Sequence, residues 1–272
     1  MSIVAPRLIS AGIDYVTCTA RPDGNADALR ALGTALVERE EDRRNKRQTW
    51  HAHGYAGWSS GSAAVGWRDD GVIVRASAAV AYEHGRALLE LADHASRIDL
   101  QATAEVQPDS VRRRLLRHYR EAAKARREGR KPNVTLIDQL PRGTTVTIGK
   151  RQSEQIGRIY DKFSESKGAY PPGSIRAECE FKGAWAEHWQ DEIQRNGLAP
   201  ARALLRIGGW FDTRGVRLGF SPDPEWQGSV PSSPESDYAK TLEWYRAAVA
   251  PGIKRWITPE TRAEILSALG VE

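Results

Sequence analysis

The sequence predicts an α+β fold in which antiparallel sheets carry helices on one face, built as two similar halves. Three observations predict it. Short stretches that alternate apolar with polar residues recur on both sides of Pro108, apolar residues at helical spacing separate them, and Asp70-Gly71 supplies a tight hairpin turn between two of the strands. The length of 272 residues suits one large domain or one domain made of two similar halves.

In chain order, Ile13 to Thr19 alternates and is rich in β-formers, and Ala26 to Lys46 reads as a helix whose later turns are strongly charged. Trp50 to Trp58, Ala63 to Arg68 and Val72 to Ser77 read as strands of an antiparallel meander. Ala81 to Ala95 is spaced as a helix and runs into the alternating Arg97 to Val106. After Pro108, Val111, Leu115, Leu116 and Tyr119 form a narrow apolar stripe on a basic helix that ends at Gly129. The second half then repeats the outline: strands Thr144 to Gly149, Gln155 to Phe163 and Ser174 to Lys182, a helix from Ala184 to Arg195, and mixed sequence to Phe220. Residues 1–220 therefore read as one domain of two halves, 1–106 and 144–220, joined by the basic helix 109–131. The stretch 221–236, rich in Pro, Ser and Gly, reads as a linker, and 237–272 as a helical segment with helices Tyr238 to Ala250 and Pro259 to Leu269.

Composition narrows the function. Mean hydropathy is −0.55, and no run of about 18 uncharged apolar residues offers a spanning helix. Met1 to Arg21 lacks the basic-then-apolar pattern of a secretory signal, so a cytoplasmic protein without membrane attachment is expected. Cys18 and Cys179 are too few for a disulfide scaffold or a four-ligand zinc site and read as small core residues. Gly143 to Lys150 imitates a phosphate loop, but its glycines are one residue too far apart and Arg151 stands where Ser or Thr is needed. Gly57-Trp58-Ser59-Ser60-Gly61 matches the hydrolase elbow pattern, yet strands rather than a helix follow it, so Ser59 reads as part of a polar hairpin turn. His51 and His53 alternate and would share a strand face. They are a metal-ligand pair or, more simply, surface residues.

The net charge of +5 is unevenly spread. Ten basic and three acidic residues fall between Asp109 and Lys131, so this segment carries +7 and the rest of the chain −2. A concentrated positive element on a nearly neutral body attracts polyanions such as nucleic acid, because released counterions drive the binding. A solvated basic helix without a ligand explains the same charges.

Three strands alternate charged and apolar residues. The period of two places Arg97, Asp99 and Gln101 on one face, Arg158, Tyr160 and Lys162 on another, and Arg176, Glu178, Glu180 and Lys182 on a third, each with an apolar back. Such faces suit cross-strand ion pairs exposed to water. They also suit chemistry: oxygen-only ligands from Asp99, Glu178 and Glu180 select a hard cation, Mg²⁺ or Mn²⁺, and a tyrosine beside that ion is a candidate nucleophile toward a phosphodiester.

On these residues the chain resembles the replication initiation factor family, which initiates rolling-circle replication of plasmids and phages and includes related relaxases of integrative elements. The resemblance is carried by Gly149-Lys-Arg151-Gln-Ser153 followed by Arg158-Ile-Tyr160-Asp-Lys162, by Arg176-x-Glu178-x-Glu180-x-Lys182, and by Arg97-Ile-Asp99-Leu upstream. Gly54-Tyr55 and Val74-Arg-Ala-Ser77 ahead of a helix also fit, and order and spacing agree over about Gly12 to Gly209. One departure is Ala78-Ala79 after Ser77, where many members have Gly, which predicts a different turn.

The resemblance implies a sheet related to that of the TATA-binding protein and a nickase acting through Tyr160. The tyrosine would attack a DNA phosphodiester and stay joined to the 5′ phosphate while a 3′ hydroxyl is released to prime synthesis, with Arg158 and Lys162 as catalytic partners. Asp99, Glu178 and Glu180 would be metal ligands, and Arg151, Arg176 and the helix residues Arg113, Arg117 and Arg120 would contact DNA. Origin duplex and single strand, a host helicase and polymerase, and a second copy of the chain are the implied partners. A conjugative relaxase nicking a transfer origin, or a regulator that binds DNA without turnover, would use the same scaffold.

Overall fold

The computed structural model describes residues 6–43, 46–130, 133–139 and 143–220. Lys131, the expected linker 221–236 and the two expected C-terminal helices lie outside the described residues. Among the described residues ten strands and six α-helices follow in the order β1 (Arg7–Ala20), α1 (Ala26–Asp42), β2 (Gln48–Ala52), β3 (Tyr55–Ser60), β4 (Ala63–Arg68), β5 (Gly71–Ser77), α2 (Ala78–Leu91), β6 (His94–Glu105), α3 (Val111–Ala125), β7 (Val134–Gln139), β8 (Gly143–Ile148), β9 (Gln155–Asp161), α4 (Lys162–Glu165), β10 (Ser174–Lys182), α5 (Ala184–Asn196) and α6 (Pro200–Asp212). The strand order reads β2-β3-β4-β5-β1 in the first half and β7-β8-β9-β10-β6 in the second, the same connectivity twice. The α+β class with antiparallel strands is as the alternation predicts.

The described residues divide into two compact units, 15–96 with 190–195, and 6–14 with 97–189 and 196–220. In the first of these, α1 buries Leu29, Leu32, Leu36 and Val37 and lies on β4 and β5. The approach is close because Gly33 has no side chain: a Cβ there would come within 2.7 Å of Val74 and 2.9 Å of Val65. Trp50 to Trp58, expected as one strand, is two. His53 (φ 52) and Gly54 (φ 80) turn the chain between β2 and β3. Consecutive left-handed residues are the mark of a two-residue hairpin, and the flanking apolar pattern conceals it.

Ala78, after the Ser77 cap of α2, has φ 51. This is the left-handed region that a Cβ disfavours, so alanine occupies the conformation that glycine would relax. Ala78→Gly is therefore expected to stabilise the protein by about 1 kcal/mol, read as a higher urea midpoint at unchanged slope.

In the other unit, α3 packs on β7, β8 and β9. Its buried stripe is Val111, Leu115, His118, Ala122 and Ala125, whereas Leu116 and Tyr119, expected in the stripe, are only half-buried. The histidine extends the i, i+3, i+4 row that the sequence reading broke, and burial holds its pKa down despite the Glu121 carboxylate 3.3 Å away. Strand β7 was not anticipated. It pairs with β8 from Val134↔Ile148 to Gln139↔Gly143 as a mostly exposed edge, so it lacks the apolar face that betrays a strand. Strand β9 ends at Asp161 rather than Phe163, because the Asp161 carboxylate accepts the Ser164 backbone N–H at 3.0 Å and caps α4. Under β9, Gly157 admits Trp210 and Phe211 of α6, whose rings lie 2.2 Å and 2.9 Å from where a Cβ would be. Ile98, Leu100, Ala177, Cys179, Phe181 and Ile159 fill the same layer and are buried. That layer fixes the backs of β6, β9 and β10, so the opposite side chains are presented on a rigid floor. Among the described residues no helix is long and apolar enough to cross a membrane.

Candidate functional site

The three charged faces foreseen from the alternation meet on one surface. Strand β10 lies between β6 and β9, with Glu180 opposite Asp99, Glu178 opposite Gln101 and Arg158, and Arg176 opposite Thr103 and Tyr160. All these residues belong to one compact unit. The simple expectation for an alternating strand is a wet outer face. Here Asp99, Gln101, Thr103, Arg176, Glu178 and Glu180 are all buried, because long cationic and aromatic side chains close over them.

Six oxygens of three carboxylates are each engaged. Arg97 grips Asp99 with two bonds, Nε to Oδ1 at 2.8 Å and Nη2 to Oδ2 at 2.6 Å, and reaches Glu180 Oε2 at 2.9 Å. Arg158 stands between all three acids, 3.7 Å from Asp99, 3.4 Å from Glu178 and 3.2 Å from Glu180. Lys182 Nζ holds Glu180 Oε1 at 2.7 Å. The remaining oxygen, Glu178 Oε1, accepts the Tyr160 hydroxyl. Burial pushes the pKa of Asp99 up, and burial together with the charge of Asp14 does the same for Glu178. Tyr160 is only 8% exposed, and burial followed by the Glu178 charge raises its phenol far above the ordinary value. The phenol is therefore neutral at rest and already hydrogen-bonded to a carboxylate that can accept its proton.

Arg176, expected as a DNA contact, is buried and bonded within the cluster. Its guanidinium donates to Thr103 Oγ1 at 2.9 Å, Asp14 Oδ1 at 2.8 Å and the Tyr170 hydroxyl at 2.6 Å, and lies 3.9 Å from Glu178. Lys162 is on α4 rather than on the strand face, paired with Glu165 at 2.7 Å, yet its Nζ still lies 5.6 Å from the Tyr160 ring and 5.3 Å from that of Tyr170. Sequence reasoning placed Arg97 on the charged face without giving it a role, and missed Asp14 and Tyr170 as members of this cluster. Asp14 had a readable signal, a single charge in an otherwise uncharged stretch of β1. Tyr170 had none, since only the fold brings a residue beside Pro171-Pro172 to Arg176.

His51 is on β2 and His53 in the turn after it, so the two do not share a strand face as expected. Ser59 lies on β3 with another strand after it, which removes the strand-turn-helix context of a hydrolase elbow. Arg113 and Arg120 are exposed on α3, whereas Arg117 is half-buried and 3.4 Å from Glu121. Arg112 is tied to Asp138 at 2.6 Å. Arg151 is exposed on the turn between β8 and β9.

The repeat provides an internal control. The corresponding face of the first half carries Tyr15, Thr17 and Thr19 on β1, Ile73, Arg75 and Ser77 on β5, and Ala64 and Gly66 on β4. The same connectivity thus forms without a carboxylate, so the ionic cluster is not something the fold requires. For a hard divalent cation the donor chemistry of Asp99, Glu178 and Glu180 fits, being oxygen only and spread over adjoining strands. Their oxygens are directed at the arginines, however, and among the described residues no three acidic, His or Cys side chains converge as around one ion. Such an ion would compete with Arg97 and Arg158.

No family model matches the chain, and no curated protein does. Among solved structures the chain is similar to the rolling circle replication initiator protein from Geobacillus stearothermophilus, at 13% identity and a TM-score of 0.49, over 85% of this chain and 91% of that one.

Proposed function

We propose that the chain is a metal-dependent DNA nickase with Tyr160 as nucleophile, serving as an initiator of rolling-circle replication. The observation that carries this reading is the Tyr160 hydroxyl donating to buried Glu178 within reach of Arg158, on strands whose residues resemble the replication initiation factor family. In the proposed step the Tyr160 oxygen bonds to phosphorus as its proton passes to Glu178. The bond from phosphorus to the 3′ oxygen breaks, the 5′ phosphate stays on Tyr160, and the leaving oxygen takes a proton from water. Arg158 offsets charge that develops on the phosphate, and Lys162 adds a cation above the ring. Arg176 acts through others, fixing Asp14, Tyr170 and Glu178 in place. Asp99, Glu178 and Glu180 would hold Mg²⁺ or Mn²⁺, which when bound would polarise the phosphodiester. The released 3′ hydroxyl would serve a host polymerase, a host helicase would open the duplex, and a second copy of the chain would complete the initiator.

The complete pairing of the carboxylates also favours a second reading, a DNA-binding regulator whose cluster only stiffens the sheet. Reaction with a single-stranded oligonucleotide and Mn²⁺, followed by mass spectrometry of the peptides, separates the two. A nucleotide adduct on the peptide containing Tyr160 is expected. Its absence at every metal concentration, with binding retained, would leave the regulator.

Binding itself is expected to draw on α3. Reversing the exposed Arg113 and Arg120 should weaken binding to all sequences alike and flatten the salt dependence by roughly one unit of slope per lost phosphate contact. An unchanged slope would mean that the helix is merely solvated.

A further inference from the structure

A second polar feature of the same unit lies outside the ionic cluster. The turn Lys150 to Ser153, the ends of α3 and α6 and the start of α5 enclose an open cavity of about 970 Å³. Among the described residues its lining includes Arg126, Lys150 and Arg214 as cations, Glu154 as the one acid, and Trp185, which is 43% exposed. Among the described residues the ring contact of Trp185 is His188, edge-on at 5.9 Å, which leaves the indole face open to a ligand. Arg214 is fixed in place: it stacks 3.7 Å above Trp210 and donates to Gln155 Oε1 at 2.9 Å. The cavity is also joined to the proposed chemistry. Lys182, which pairs with Glu180 at 2.7 Å, donates its other bond to the Arg151 carbonyl at 3.0 Å. Gln155 begins β9, and Tyr160 follows about 16 Å further along that strand at the usual rise per residue.

We propose that this cavity holds one unpaired nucleotide of the DNA strand that Tyr160 acts on, its base against Trp185 and its phosphate among Lys150, Arg126 and Arg214. The proposal rests on the reading of the chain as a DNA nickase. Aromatic faces beside cations are how single strands are held without sequence preference, and a base must be unstacked to enter a concave site, which excludes duplex. The polar lining, with Asn133, Ser153 and Gln155, disfavours an apolar ligand. A free nucleoside monophosphate has the same chemistry and is the competing source.

The test uses the full chain carrying Tyr160→Phe, so that no cleavage intrudes, and fluorescence anisotropy of labelled oligo-dT of about 12 nucleotides, a length within the range that single-strand binding sites of other proteins occupy. Trp185→Ala is expected to weaken binding roughly five- to 150-fold, and Trp185→Phe, which keeps a ring, far less. Lys150→Gln should reduce the salt slope by about 0.7. Thermal melts establish that each variant is folded. Equal affinity for Trp185→Ala and its parent would overturn the proposal, as would displacement of the oligonucleotide by micromolar dTMP, which would reassign the cavity to a free nucleotide. Because the readout is binding alone, failure here with adduct formation intact in the unmodified chain removes only the cavity. A missing adduct with the Trp185 effect intact removes only the chemistry.

Discussion

Tyr160→Phe is expected to abolish nicking and the covalent adduct while oligonucleotide binding stays within about twofold, since the change removes one hydroxyl and keeps the ring among its neighbours. The cost in folding is small because Glu178 keeps Arg158 at 3.4 Å as a partner on its other oxygen. Two other tyrosines compete. Tyr119 is half-buried on α3, and the Tyr170 hydroxyl accepts a hydrogen bond from Arg176 at 2.6 Å. Neither is hydrogen-bonded to a carboxylate among the described contacts, so neither has a base in place. An adduct on Tyr119 or Tyr170 together with an active Tyr160→Phe protein would sink the assignment.

The second large effect follows from the neutrality of the resting phenol. Burial and the Glu178 charge raise the pKa of Tyr160, so the proton must leave during attack, and Glu178 is the group that holds its hydrogen bond. Glu178→Gln preserves shape but cannot accept a proton, and single-turnover nicking should fall by about 10²- to 10⁴-fold. In the unmodified protein the rate should rise with pH as Glu178 ionises. Burial places that midpoint above the ordinary carboxylate value of 4.5, and the limb should be absent from the variant. Stability carries an independent signature. A carboxyl whose folded pKa is raised contributes stability that is full below the unfolded value and is lost as pH rises through the folded one. The neutral glutamine escapes that loss, so melting temperatures of the variant should gain on the parent as pH rises above the ordinary carboxylate value of 4.5. A variant that nicks at the parental rate with the parental pH profile would remove Glu178 as base.

The alternation of charged and apolar residues was enough to assign Arg97 to Gln101, Arg158 to Tyr160 and Arg176 to Lys182 to strands and to sort their faces. A side-chain period of two is a property of the backbone and does not depend on neighbours. The helix over Ala184 to Arg195 and the Asp70-Gly71 turn were legible for the same local reason. What failed was local information masked by stronger patterns: the His53-Gly54 turn inside an apolar run, and β7 as an edge without an apolar face.

By itself, the sequence determined which residues have chemistry to offer and on which side of their strands they stand. The tertiary structure decided what that chemistry is surrounded by. The placement of β10 between β6 and β9 converts three separately plausible wet faces into one buried cluster, gives Arg176 its partners inside that cluster, and recruits Asp14 and Tyr170. The physical reason is that strand register is set by long-range pairing, here Glu180 with Asp99 and Arg176 with Tyr160, partners that neither strand can specify alone. Burial follows from that pairing, and with it the raised pKa values of Asp99, Glu178 and Tyr160.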